Sequence, residues 1–261
     1  MPKKLLIVGS NEAFRIQEKL HHSFFRETNI GWECQFIENP DHAMLDNLIE
    51  AREYSALILD EPYKKYAARC ADIQAASARL ACGAGLLVCK DTVLLAYELE
   101  GSARATLLSE EGFDYRGALV LVCGEKPSAL ADVLAASLFG ARKIIYLAES
   151  KQKAQQRLHN FVTEFGKLAY ATIDLPPSDE HQLSFRDAYD QTSFSFGSYH
   201  SSTQIFEEAD FVIDHRKKPS PEQSIMYATF IQETLIDIFH PDFVLSRRDI
   251  LAIMAAAYKQ A

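Results

Sequence analysis

Residues 118–150 read Ala-Leu-Val-Leu-Val-Cys-Gly-Glu-Lys-Pro-Ser, then an apolar run from Ala129 to Phe139, then Gly140-Ala141. A second apolar run, Lys143-Ile-Ile-Tyr-Leu147, closes on Ala148-Glu149-Ser150. A buried-strand pattern, a tight turn, a helix, a glycine stop, a second strand and an acidic residue follow one another. That is the order of a βαβ unit that holds a dinucleotide. Gly124 is the single glycine of the turn, where such turns carry two or three.

Outward from this unit the chain keeps alternating. Lys4–Val8 reads as a strand closed by Gly9-Ser10, and Asn11 is placed to cap a helix reaching Glu27. Trp32–Ile37 is a second strand. Asp41 caps a helix with Met44, Leu45, Leu48 and Ile49 on its buried side, and Ala56–Leu59 is a third strand, apolar throughout. Asp60–Lys65 follows at its carboxyl end, where open α/β sheets place their ligands. A helix is expected over Asp72–Leu80, short strands over Leu86–Val88 and Val93–Tyr97, and a linker helix ending near Glu111. Beyond Ser150 a charged helix is expected to stop at Gly166, before a strand over Leu168–Ile173. Residues 175–208 carry no clean period. Phe211–Ile213 reads as a strand, Ser220-Pro221-Glu222 as the start of a helix reaching Phe239, and Ser246–Asp249 as the cap of a last helix.

Composition narrows the function classes. The 261 residues fit one large or two modest domains, and a net charge of −9 argues against nucleic acid as a partner. No apolar run approaches the ~18 residues that span a bilayer, and the short apolar start lacks the form of a signal peptide. The five cysteines are odd in number and never spaced CxxC, and the eight histidines show no HExxH. Reduced thiols, no metal site and a cytoplasmic location are the expectation.

The order of elements, together with three short motifs, resembles the shikimate dehydrogenase family. Pro62-Tyr63-Lys64 matches the end of the family's N-x-T-x-P-x-K segment. Tyr97 and Gly101 match its G-Y-N-T-D-G segment, with Glu100 in place of the Asp, and Gly140-Ala141-Arg142-Lys143 matches its Gly-Ala-basic lead into a strand. The resemblance implies an α/β fold of two domains. Residues 1–105 with 221–261 would form a catalytic-type domain, and 106–220 a Rossmann-like nucleotide-binding domain, with a parallel sheet in each. It implies an NAD(P)-dependent oxidoreductase acting on a small hydroxy or keto acid. Lys64 and Glu100 would be catalytic, and Arg15, Gln17, Gly85 and Gln232 would touch substrate. Gly124, Lys126, Ser128, Glu149 and Ser150 would hold the cofactor. The chain departs from the pattern at these sites. Arg15-Ile16-Gln17 stands for S-x-S, Gly85-Leu86 for Asn-Thr, Gly124–Ser128 for the glycine loop, and Ala148-Glu149-Ser150 for N-R-T.

Read as chemistry, oxidation of an alcohol needs a group that takes the hydroxyl proton at neutral pH, and a lysine steadied by a carboxylate can do so. Arg15 could grip a carboxylate through its planar fork. Glu149 favours NAD over NADP, since a carboxylate accepts from ribose hydroxyls and repels a 2′-phosphate. Glu125 and Pro127 work against a pyrophosphate. The divergent turn leaves open a different class, a non-catalytic ligand-binding or scaffolding protein that retains the fold. In either case the expected partner is a small molecule, and the chain a monomer or homodimer.

Overall fold

The structure, a computed structural model, describes residues 3–10, 14–171, 182–201 and 203–260, without the side chains of 201 and 203–205. The chain divides into two compact units, Met1–Leu99 with Pro219–Ala261, and Glu100–Lys218.

The first unit is built on a six-stranded sheet. Its elements are β1 (Lys3–Gly9), α1 (Ile16–Thr28), β2 (Trp32–Glu38), α2 (His42–Ala51), β3 (Ala56–Leu59), α3 (Glu61–Cys70), β4 (Ile73–Gln74), α4 (Ala76–Ala81), β5 (Leu86–Lys90) and β6 (Val93–Tyr97). The strand order is β2-β1-β3-β5-β6-β4. β1 pairs in parallel with β2 and β3, but β5 runs antiparallel to both β3 and β6. The sheet is therefore mixed, not parallel as the alternation suggested. The reason is local: Asp91 and Thr92 both take positive φ, 50° and 69°, so the chain reverses in two residues and leaves no room for a crossover helix. The central residues Leu5, Ile7, Val8 and all of β3 are buried, as strands covered on both faces must be.

Two further expectations change here. Asp60 caps a full helix, α3, with its carboxylate accepting from the Glu61 N–H at 2.8 Å, so Lys64 lies on a helix and not on a loop. The helix expected over Asp72–Leu80 is shorter, because Ile73–Gln74 pairs with β6 first. The expected Asn11 cap lies outside the described residues; α1 begins at Ile16 with no side-chain cap.

The second unit holds α5 (Glu100–Glu110), β7 (Leu119–Cys123), α6 (Pro127–Leu138), β8 (Lys143–Ala148), α7 (Lys151–Ala169), α8 (Phe185–Gln191), β9 (Ser193–Ser198), α9 (Thr203–Glu208) and β10 (Phe211–Asp214). Its four strands are all parallel, in the order β10-β7-β8-β9. α6 is buried on every face. α5 crosses it at backbone distance through Gly101, where an added Cβ would stand 2.2 Å from the Ala131 carbonyl oxygen.

Gly166 does not stop α7, which runs on to Ala169, so the strand expected from Leu168 is absent among the described residues. The buried positions Ala154, Leu158, Phe161, Phe165 and Ala169 keep a helical spacing through the glycine. Phe165 packs against Phe185, Tyr189 and Phe194, and the Tyr189 hydroxyl lies against Gly166. That packing offsets the ~1 kcal/mol a mid-helix glycine costs. The strand comes later, as β9, inside the stretch whose pattern was unreadable.

The last helices, α10 (Pro221–Phe239) and α11 (Arg247–Gln260), belong to the first unit and pack on each other and on α1. α10 opens with a complete capping box: Ser220 Oγ accepts from the Gln223 N–H, and the Gln223 side chain accepts from the Ser220 N–H. Among the described residues no helix is long and apolar enough to cross a membrane, and no cluster of His, Cys, Asp or Glu could hold a metal ion.

Candidate functional site

In the first unit the chemistry gathers around Lys64. It sits in the first turn of α3, which Asp60 anchors to the end of β1 by also accepting from the Ser10 backbone N–H at 3.1 Å and from its hydroxyl. The Lys64 side chain is wholly buried, and its Nζ stands 3.2 Å from Glu98 Oε2, 3.4 Å from Glu98 Oε1 and 3.5 Å from Glu61 Oε1. Glu98 is itself buried, and its backbone N–H donates to Ser77 Oγ. Over this pair lies Tyr227 of α10. Its hydroxyl donates to the Gly85 carbonyl at 3.2 Å, and its ring centroid is 5.9 Å from Nζ. Gly85 is required by this crowding: a Cβ there would meet Tyr227 Oη at 2.5 Å and Glu98 Oε2 at 3.2 Å.

An ammonium with no exposure must have its charge matched, and two carboxylates at this range do that. The carboxylates placed against Lys64 within its unit are Glu98 and Glu61. Glu100 opens α5 of the second unit, where its charge acts on Arg104. The sequence carried a signal for Glu98 too, since it lies in the Tyr97–Gly101 segment two residues before Glu100. Glu61 and Tyr227 had no such signal.

Of the residues expected to contact substrate, Gly85 lies beside Lys64. Arg15 pairs with Glu38 at 2.9 Å and stacks on Phe36 at 4.7 Å, partly exposed. Gln17 is buried on α1, its Nε2 donating to the Ser224 carbonyl, while its Oε1 has no hydrogen-bond partner among the described residues. Gln232, buried on α10, donates through Nε2 to His21 Nδ1 at 2.6 Å. His21 lies one turn beyond Gln17 and is fully buried; burial takes its pKa down to about 3, so the ring is neutral.

In the second unit the turn between β7 and α6 is built differently from a glycine loop. Gly124 gives its open side to the protein's own His215, whose Cβ would be 2.7 Å from an added Cβ. The His215 ring is held at both nitrogens. Ser128 Oγ lies 3.1 Å from Nδ1, and Nε2 contacts Asp132, which also pairs with Arg104. Nε2–H donating to Asp132 and Ser128 donating to Nδ1 satisfies the ring completely. Ser128 and Asp132 are one turn apart on α6, so one buried network ties that helix to α5 and to the end of β10. Neither His215 nor Asp132 stood out in the sequence, because an acid inside an apolar helix shows its purpose only when its cation is found.

On the other side of the turn, Glu125 Oε1 accepts from the Glu149 N–H at 2.9 Å. Lys153 bridges the two acids, 2.7 Å from Glu149 and 3.7 Å from Glu125, and Arg157 donates to the Glu125 carbonyl. Lys153 holds the Glu149 carboxyl below its ordinary range. Ser150 is spent as the cap of α7, accepting from the Lys153 N–H. Lys126 is exposed at the start of α6 and adds no side-chain cap.

This donor set fits the phosphate and ribose of a dinucleotide. The first turn of α6 lacks a side-chain cap, three cations (Lys126, Lys153, Arg157) stand near it, and Glu149 is exposed at the end of β8. The Glu125 carboxylate occupies the Glu149 N–H and borders the Lys153 ammonium. It is partly exposed, and surface pairs of this kind are worth at most ~1 kcal/mol, so its side chain can be displaced.

No protein family matches the sequence at a significant level, and no curated protein does. Solved structures do match. Shikimate dehydrogenase of Mycobacterium tuberculosis superimposes with a TM-score of 0.69 at 16% identity, covering 98% of this chain and 100% of that one. Quinate dehydrogenase of Corynebacterium glutamicum in complex with NAD gives 0.64 at 14% identity, over 82% of this chain and 70% of that one. The 5-ketofructose reductase of a Gluconobacter strain gives 0.63 at 13%, over 100% and 99%. The agreement spans nearly the whole chain while the identity is too low to carry an activity, and so what these likenesses establish is that the chain has the fold of the shikimate dehydrogenase family.

Proposed function

We propose that the protein is an NAD(P)-dependent oxidoreductase acting on a small hydroxy or keto carboxylic acid. The observation that carries this reading is the buried Lys64 with Glu98 and Glu61 around its Nζ. A buried lysine with fixed partners is poised to move a proton, whereas a solvated one is not. A bound nicotinamide supplies or accepts the hydride at the substrate carbon. In the reducing direction the Lys64 ammonium gives its proton to the carbonyl oxygen; in the oxidising direction its amine takes it from the hydroxyl. Glu98 orients Nζ. Lys126, Lys153 and Arg157, near the start of α6, would hold the cofactor's phosphates. Glu149 takes the ribose, which favours NAD.

The test has two parts. One of NAD, NADH, NADP or NADPH at millimolar concentration raises the thermal midpoint by mass action, and Lys64→Met retains that shift while turnover falls by at least ~100-fold. No shift with any of the four sinks the proposal, and so does full turnover in Lys64→Met.

A second reading has one specific observation in its favour, the Glu125 carboxylate seated on the Glu149 N–H. On that reading the fold serves a non-catalytic ligand-binding or scaffolding role. Glu125→Gln separates the two. It strengthens dinucleotide binding by about threefold to tenfold if the carboxylate is a displaceable occupant, and changes nothing if no dinucleotide binds.

A further inference from the structure

Glu61 is the first residue of α3 and stands at an unspecified place in the N-x-T-x-P-x-K segment, so the motif gives it no role. The start of a helix favours an ionised carboxylate. Both of its carboxylate oxygens are nevertheless buried, and neither has a hydrogen-bond partner among the described residues. What faces it is Lys64, one turn along the same helix, with Nζ 3.5 Å from Glu61 Oε1. On a surface such a pair would be worth little, because water screens it. Here the Lys64 side chain has no exposure and that of Glu61 only 15%.

A carboxylate shut away from water needs a counter-charge. Glu61 finds it in the Lys64 ammonium and would be stranded if Lys64 gave up its proton. The groups against Nζ come from three elements of the unit. Glu61 belongs to α3, Glu98 to the end of β6 at 3.2 Å, and Tyr227 to α10, with its ring centroid at 5.9 Å. Two carboxylates and the face of an aromatic ring all favour a cation. Burial alone opposes them, since it penalises the charged form. Of the other charged groups on α3, Asp60 is taken up by Ser10 and the helix start, and Lys65 is exposed.

We propose that Glu61 is a positioning residue that holds Lys64 as an ammonium at neutral pH, so that the site meets its substrate as a proton donor and acts on the carbonyl compound. This rests on the reading of Lys64 as the acid/base group of an NAD(P)-dependent oxidoreductase. The carbonyl carbon receives hydride from the reduced nicotinamide, and the carbonyl oxygen takes the Nζ proton to become the hydroxyl. Lys64 is left as an amine and regains a proton from water before the next turnover. In the opposite direction Lys64 has to lose, before substrate arrives, the proton that Glu61 retains. Oxidation of the alcohol is therefore confined to alkaline pH.

Nitrogen-15 NMR of the lysine-labelled full chain follows this proton without any turnover, with the Lys64 signal assigned by its absence from Lys64→Met. Lys64 is expected to remain an ammonium at about pH 9. In Glu61→Gln its titration midpoint should fall by at least about one pH unit, while the exposed Lys65 titrates alike in both proteins. For a keto acid and hydroxy acid pair that turns over, kcat/KM for reduction should stay level from about pH 6.5 to about pH 8.5, and that for oxidation should climb about tenfold per pH unit. The proposal is overturned if Lys64 is half amine at or below about pH 9 in the parent, a result that needs no variant to fold. It is equally overturned if Glu61→Gln leaves the midpoint unchanged, or if oxidation is level over the same range. If Lys64 keeps its proton as expected but no nicotinamide cofactor binds, the oxidoreductase reading fails and the hold of Glu61 on Lys64 stands.

Discussion

Acidification should unfold the first unit through His21, by an amount the structure sets. The ring is fully buried between α1 and α10, accepts from Gln232 at Nδ1, and has its pKa brought from 6.5 down to about 3 by burial. The sign follows from linkage. Above pH 6.5 the ring is neutral in both states and pH has no leverage. Below it the unfolded chain takes up a proton that the folded chain refuses, so stability falls with pH until the folded ring protonates near pH 3. Each pKa unit between the two states is worth about 1.4 kcal/mol. The loss from this residue is therefore about 2 kcal/mol between neutral pH and pH 5, and about 4 kcal/mol by pH 3. Urea unfolding followed by tryptophan fluorescence reads it. Trp32 is the single tryptophan, and it stacks at 5.5 Å on Phe25, which neighbours His21 at 6.5 Å. Other groups titrate in this window too; His240, for one, has a pKa lowered by burial and by Lys3. The comparison is therefore with His21→Gln, which shares them all and lacks only the imidazole. The parent's advantage over the variant should shrink by about 2 kcal/mol from pH 7.5 to pH 5. If that difference stays flat across the range, the ring is protonated in the folded state and the description of this core is wrong.

Two further outcomes follow from backbone geometry. Gly101→Ala should destabilise the second unit by about 1–3 kcal/mol or more, because the new methyl would stand 2.2 Å from the Ala131 carbonyl oxygen, which the buried α6 cannot move aside; a midpoint equal to the parent's would show that α5 does not cross α6 at this point. Ser220→Ala should cost about 1 kcal/mol by removing one half of the capping box of α10, measured as a lowered urea midpoint with an unchanged slope.

How much the chain discloses without its structure depends on the range over which each feature is determined. Strand and helix identity in 118–150 is set by local apolar periodicity, and so β7, α6 and β8 stand where the pattern puts them. The caps at Asp41 and Ser220 are equally local, a side chain bonding the backbone three residues on. Gly166 misled because a glycine's cost is local, whereas the aromatic cluster that offsets it comes from α8 and β9, more than fifteen residues away. The Asp91-Thr92 reversal misled in the opposite sense: neither residue is a glycine or an asparagine, so the two-residue turn that makes the first sheet mixed carries no strong composition cue.

The candidate site divides along the same line. Lys64 stood out through its motif, but its surroundings did not: Glu98 comes from the end of β6, Glu61 from one turn of α3, and Tyr227 from a helix more than 160 residues later. The sequence by itself determined the alternation of elements, the α/β class and the presence of a lysine at the carboxyl end of β3. Only the tertiary structure decided what that lysine faces, that His215 fills the space over Gly124, and that Glu125 accepts from the Glu149 N–H. The physical reason is that propensity and periodicity act between neighbours in the chain, whereas a buried charge is defined by the distant groups that neutralise it.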